Sequence, residues 1–154
     1  MSMLKAKRSE SRAEYVNLAG AIFEETVGFL TRMSARYARL LAEPVAQLAG
    51  RVMDECEAAN SIYPSSAERV KLREAHLLEA RAALMALDRR LTYCYRVMSL
   101  NPEGCFTTGS GQPVKGDKAS AKLDKMAQSL GEKIDQENSK LQEVLKSDKR
   151  RMNQ

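Results

Sequence analysis

Tryptophan is absent from this chain, phenylalanine occurs three times, and aromatic residues make up only 5% of the sequence. A β-sandwich core leans on aromatic and β-branched side chains, so this balance, rich in Ala, Leu and Met, favours helix over sheet. Histidine occurs once, as His76. A di-iron bundle site needs two Glu-x-x-His motifs, so one histidine excludes it, and any histidine-dependent triad would have to run through His76. The three cysteines, Cys56, Cys94 and Cys105, are odd in number and share no close spacing. They read as free, mostly buried thiols rather than a disulfide framework or a zinc site. No apolar stretch approaches the ~18–20 residues of a membrane span. The first residues, MSMLKAKRSESRAEY, turn charged at once, without the apolar segment of a signal peptide. The expectation is a cytoplasmic protein with no membrane contact.

What is present is helix. From Ser65 to Asn101 the chain runs 37 residues without Gly or Pro. As one helix that run spans about 55 Å. Its apolar side needs partners of similar length, which a helical bundle supplies. At 154 residues, 44% of them apolar, the chain is one domain's worth and can bury a core.

Four helices are predicted, over about 11–33, 34–60, 65–100 and 117–150. Ser11 and Glu14 have capping-box spacing at the first, and Ser65 and Glu68 repeat it at the third. The first helix carries the stripe Tyr15, Leu18, Ala19, Ile22, Thr26, Phe29, Leu30, Met33. It ends between Thr31 and Ser34, or else runs unbroken to Ala42. The second carries Leu41, Val45, Leu48, Val52, Cys56 and Ala59, with Pro44 inside it to bend or restart it. The third carries Leu77, Ala80, Leu84, Leu87, Leu91, Tyr95 and Met98. A second row, Leu72, Leu78, Ala82 and Met85, implies burial on another side, within the bundle or at a subunit contact. Residues 101–116 form a long loop in which Phe106-Thr107-Thr108 and Gln112-Pro113-Val114 can pair around a Gly-Ser-Gly tip. Asp117 is expected to cap the fourth helix, whose stripe is Leu123, Ala127, Leu130, Ile134, Leu141 and Leu145. Glu137 and Asn138 interrupt it where an apolar residue would fit. The fold class is thus all-α, an antiparallel up-down-up-down four-helix bundle in a single domain.

No catalytic signature is evident. Gly111 to Lys118 loosely matches a phosphate-binding loop, but Asp117 follows the second Gly where that motif requires Lys. His76 and Glu79 form one H-x-x-E on a helix face, read as a surface or interface pair. A buried carboxylate site built from Glu55 and Glu137 is the one enzymatic arrangement to check. The expectation is no enzyme, no metal and no cofactor.

Charge placement says more. The net charge is +5. Residues 1–12 contribute +3, residues 144–154 another +3, and the remainder −1, so the excess sits at the two ends of the chain, in and beside the basic tails 1–10 and 149–154. An up-down-up-down bundle brings the start of helix one, the turn between helices two and three, and the end of helix four to one pole. That pole collects Lys5, Lys7, Arg8, Arg12, Arg69, Lys71, Arg73, Lys149, Arg150 and Arg151. Glu10, Glu68, Glu74 and Asp148 offset them only in part. Converging cations attract a phosphate backbone. Only Tyr15 and Tyr63 lie close enough to stack on bases, so contact runs through phosphates and shape.

The segment from Arg36 to Met98 has an apolar second helix with a mid-helix Pro (Pro44) and Ala59-Asn60 near its end. A third helix follows with the rhythm Leu77, Ala80, Leu84. This pattern resembles the small bacterial four-helix proteins encoded in intervening sequences of large-subunit ribosomal RNA genes. It also resembles their relative Avd, the accessory variability determinant of diversity-generating retroelements. The resemblance covers about half the chain and implies a positively charged homo-pentameric barrel that binds nucleic acid. In the Avd branch it implies a reverse transcriptase partner. The long loop from Cys105 to Gly116 and the extended, charged fourth helix depart from the family pattern.

The reading that follows is a non-enzymatic accessory protein. It self-associates and binds nucleic acid, RNA ahead of DNA, by its phosphates. The alternative is a helical protein–protein scaffold without a nucleic-acid role.

Overall fold

The computed structural model describes residues 13–153. Four α-helices run in chain order: α1 (Glu14–Leu30), α2 (Ala35–Asn60), α3 (Ala67–Ser99) and α4 (Gly116–Met152). α1 packs on α2, α2 on α3, α3 on α4, and α4 closes the ring on α1. Cross-helix bonds fix the directions. Glu14 meets Lys140 while Glu25 meets Lys133, so α1 and α4 are antiparallel. Arg73 meets Asp148 while Tyr95 meets Asp124, so α3 and α4 are too. Arg51–Glu79 and Glu55–His76 set α2 against α3 in the same way. This is the up-down-up-down bundle expected.

The apolar stripes supply the core. Ile22, Val52, Leu77, Leu84, Leu87 and Leu141 are all out of water, from all four helices. Burying such a side chain stabilises by roughly 1.5–3 kcal/mol. The second row of α3 does not enter this core. Leu72, Leu78 and Met85 are 55%, 48% and 42% exposed and Ala82 is exposed with them, so nothing among the described residues covers it.

α1 stops at Leu30, one residue before the expected Thr31–Ser34 window and well short of the unbroken run to Ala42, and Ser34 takes extended backbone at the start of α2. Pro44 stays inside α2. Its ring is exposed, and every fully buried α2 residue (Val45, Ala49, Val52, Cys56, Ala59) lies beyond it.

Three helix starts differ from expectation. At α1 the extended cap is Ala13, which leaves Glu14 in the first turn; Ser11 lies outside the described residues. At α3 the cap is Ser66 rather than Ser65, its hydroxyl accepting from the Arg69 N–H at 3.2 Å. Ser65 is used earlier, where its N–H closes a tight turn on Tyr63. At α4 the helix begins at Gly116, one residue before Asp117. The Gly116 N–H is satisfied by the Glu103 carboxylate at 3.0 Å, a cap delivered across the loop rather than by the adjacent aspartate.

The 101–116 loop is compact. A 3-10 turn over Pro102–Cys105 leads into one antiparallel bridge, Thr107 to Pro113, with Val114 donating to Phe106. Gly111, at φ +83°, makes the reversal. Cys105, Phe106 and Val114 are buried and plug the bottom of the bundle.

Candidate nucleic-acid interface

The terminal pole assembles as topology requires. α1 starts, α2 ends, α3 starts and α4 ends there, and Arg73 ties three of the four. Its Nε donates to Asp148 of α4 at 2.6 Å, and its Nη1 donates to the carbonyls of Ala59 and Ile62, at 3.2 and 3.3 Å, at the end of α2. Its side chain is 13% exposed and that of Asp148 6%. Arg73 therefore differs from the expected role. Its guanidinium is taken up by two carbonyls at the end of α2 and just beyond it and by one buried carboxylate, and it is withdrawn from the outward-facing set.

Arg69, Lys71, Lys149, Arg150 and Arg151 are exposed at this pole. Lys149 has Glu74 at 3.9 Å, a loose exposed pair worth little. The other four make no ion pair among the described residues. Lys5, Lys7, Arg8 and Arg12 lie outside the described residues. The five placed cations come from the start of α3 and the end of α4, the two elements joined by the Arg73–Asp148 pair.

Sequence reading missed a second basic pole. The near-neutral middle of the chain separates, once folded, into an acidic waist and a basic far end. Glu24, Glu25, Asp54, Glu55, Glu79, Glu132 and Asp135 sit mid-bundle with Arg51, Arg81 and Lys133 among them. At the far end the α1–α2 turn brings Arg32, Arg36 and Arg39, α3 ends with Arg89, Arg90 and Arg96, and α4 opens with Lys115, Lys118, Lys122 and Lys125, offset only in part by Glu43, Asp88, Glu103, Asp117 and Asp124. The missed signal was available. The same folding-back argument that joins the tails joins these segments, and a charge sum along the chain conceals it.

The carboxylate arrangement does not form. Glu55 bonds His76 Nδ1 at 2.6 Å, and Glu79 pairs with Arg51 rather than completing an H-x-x-E site. Glu137 is fully buried, and neither of its oxygens has a hydrogen-bond partner among the described residues. Burial pushes its carboxyl up to about 8, against a smaller opposing pull from Lys140. It is mostly neutral at pH 7. Burial also pushes up the thiols of Cys56, Cys94 and Cys105, and all three are free, so they are packing groups rather than nucleophiles. No His, Cys, Asp and Glu cluster able to hold a metal occurs among the described residues. No described helix is long and apolar enough to cross a membrane.

No protein family, no curated protein and no solved structure matches the chain.

Proposed function

We propose that this protein is a non-enzymatic nucleic-acid-binding accessory factor that grips phosphates through its terminal pole. The supporting observation is the set Arg69, Lys71, Arg150 and Arg151, exposed and without ion pairs among the described residues, on two helices locked together by Arg73 and Asp148. Cations so placed act on a phosphate backbone by charge, with little base readout. The likeness to Avd supports an accessory role beside a reverse transcriptase, with RNA as the preferred strand and a homo-oligomer as the working form. Filter binding of a generic single-stranded RNA tests the reading. Binding that falls steeply with salt supports it, and no binding at low salt overturns it.

The scaffold alternative is favoured by one observation. Leu72, Leu78, Met85 and Tyr93 are exposed on one long helix, more apolar surface than a helix facing only water needs. In the accessory-protein reading the same row is the contact between copies.

A further inference from the structure

The far pole holds a cleft of about 640 Å³ between the end of α1, the 101–116 loop and the first turns of α4. That volume is the size of a small-molecule site. Phe106, tied down in the loop, forms its floor. The Arg32 guanidinium lies 5.2 Å from the centre of that ring and the Lys122 ammonium 5.7 Å. Lys125, one helical turn after Lys122, lines the same wall. Three cations therefore face one opening.

None of the three makes an ion pair among the described residues. The one carboxylate lining the cleft, Glu25, is engaged with Lys133 at 2.5 Å and accepts from the Ser129 hydroxyl at 3.0 Å. Asp124, between the two lysines in sequence, accepts from the Tyr95 hydroxyl, and Glu103 caps α4. Like charges gathered over an aromatic ring repel one another. An anion between them removes that repulsion, and the Met126 side chain, with the small part of the Phe106 ring left exposed, offers an apolar surface beside it. The Thr107 side chain lines the cleft too and brings a hydroxyl donor.

We propose that this cleft is a binding site for a phosphate ester carrying a flat or apolar body, of mononucleotide size. The phosphate sits among Arg32, Lys122 and Lys125, and the body lies against Phe106 and Met126. The proposal does not rest on the reading of the terminal pole, which is at the other end of the bundle and shares no residue with it.

The test is an NMR titration of the ¹⁵N-labelled full chain with AMP, adenosine and inorganic phosphate. AMP is expected to shift the amides around Gly28, Arg32, Thr107, Lys122 and Ser129, phosphate to shift a subset, and adenosine to leave them in place. Arg32→Gln and Lys122→Gln, exposed positions that leave the core intact, should each weaken AMP binding at least tenfold. Lys146→Gln, at the opposite pole, should not. A tetranucleotide with a 5′-phosphate separates the two sources of this chemistry. If it displaces AMP where its unphosphorylated form does not, strand ends are bound as well as free nucleotides. If it fails to displace AMP, the site takes free nucleotides. Equal shifts from adenosine and AMP, or undiminished AMP affinity in Lys122→Gln, would overturn the proposal.

Discussion

Arg73 on α3 and Asp148 on α4 stand 2.6 Å apart at the terminal pole, each almost wholly out of water, and the same guanidinium holds the end of α2. One side chain thus links three helices through charge-assisted bonds.

Removing one partner should therefore cost far more than an exposed ion pair does. Asp148→Ala or Arg73→Met is expected to lower unfolding stability by roughly 3–5 kcal/mol, because each leaves a buried charge uncompensated. The double variant Arg73→Met/Asp148→Leu should recover part of this, but not the part that comes from the lost guanidinium bonds to the Ala59 and Ile62 carbonyls. Urea denaturation of the two single variants and the double variant reads the coupling directly. Additive losses would show that the two residues act separately.

Glu137 makes stability depend on pH. Its carboxyl stands at about 8 in the fold against an ordinary value of 4.5, so the native state holds a proton that the unfolded chain releases. Its contribution is fully present below pH 4.5 and is lost as pH rises to about 8, at up to about 1.4 kcal/mol per pH unit. Above that the effect is flat. Glu137→Gln keeps the shape without the ionisation. It should flatten the decline and raise the thermal midpoint at pH 8 relative to pH 5. Equal pH profiles for the two proteins would contradict the assignment.

On the proposed function, salt should act strongly on RNA binding and weakly on folding. For a grip of four to six phosphates, affinity should fall by a few hundredfold or more over a tenfold rise in salt. Arg150→Glu with Arg151→Glu should weaken binding at least tenfold and reduce the salt slope, while the circular dichroism spectrum stays that of a helical bundle. Unchanged affinity would take the end of α4 out of the interface.

The two apolar rows of α3 should answer differently to substitution. Leu84, fully buried, is expected to lose about 2–5 kcal/mol on conversion to Ala. Leu78, 48% exposed, should change a monomer by less than about 0.5 kcal/mol. If copies meet along that row, Leu78→Lys with Met85→Lys should lower the mass seen by light scattering. An unaltered mass would leave the row to another partner.

The architecture was readable because its causes are local and periodic. The three- and four-residue steps of Ile22, Leu84 and Ile134 mark buried faces, and the breakers around Pro64 and Pro102 set the turns. The caps were less readable. Ser65 and Ser66 are adjacent and chemically equal, and only the turn geometry chooses between them. Glu103 reaches Gly116 across thirteen residues, which no local motif describes. The fate of Arg73 was invisible for a related reason. A guanidinium in a list of basic residues looks like every other, and only the partner at position 148 shows that it points inward. The far pole failed differently, since its charges cancel in a running sum and separate only in space.

Pro44 splits α2 into unequal halves. Position 44 has no N–H for the Leu40 carbonyl, and the turns before it carry no fully buried side chain. Amides from Ala38 to Leu41 should therefore trade hydrogen for deuterium well before those around Val52, so that half of α2 can unwind and reseat while the core stays closed.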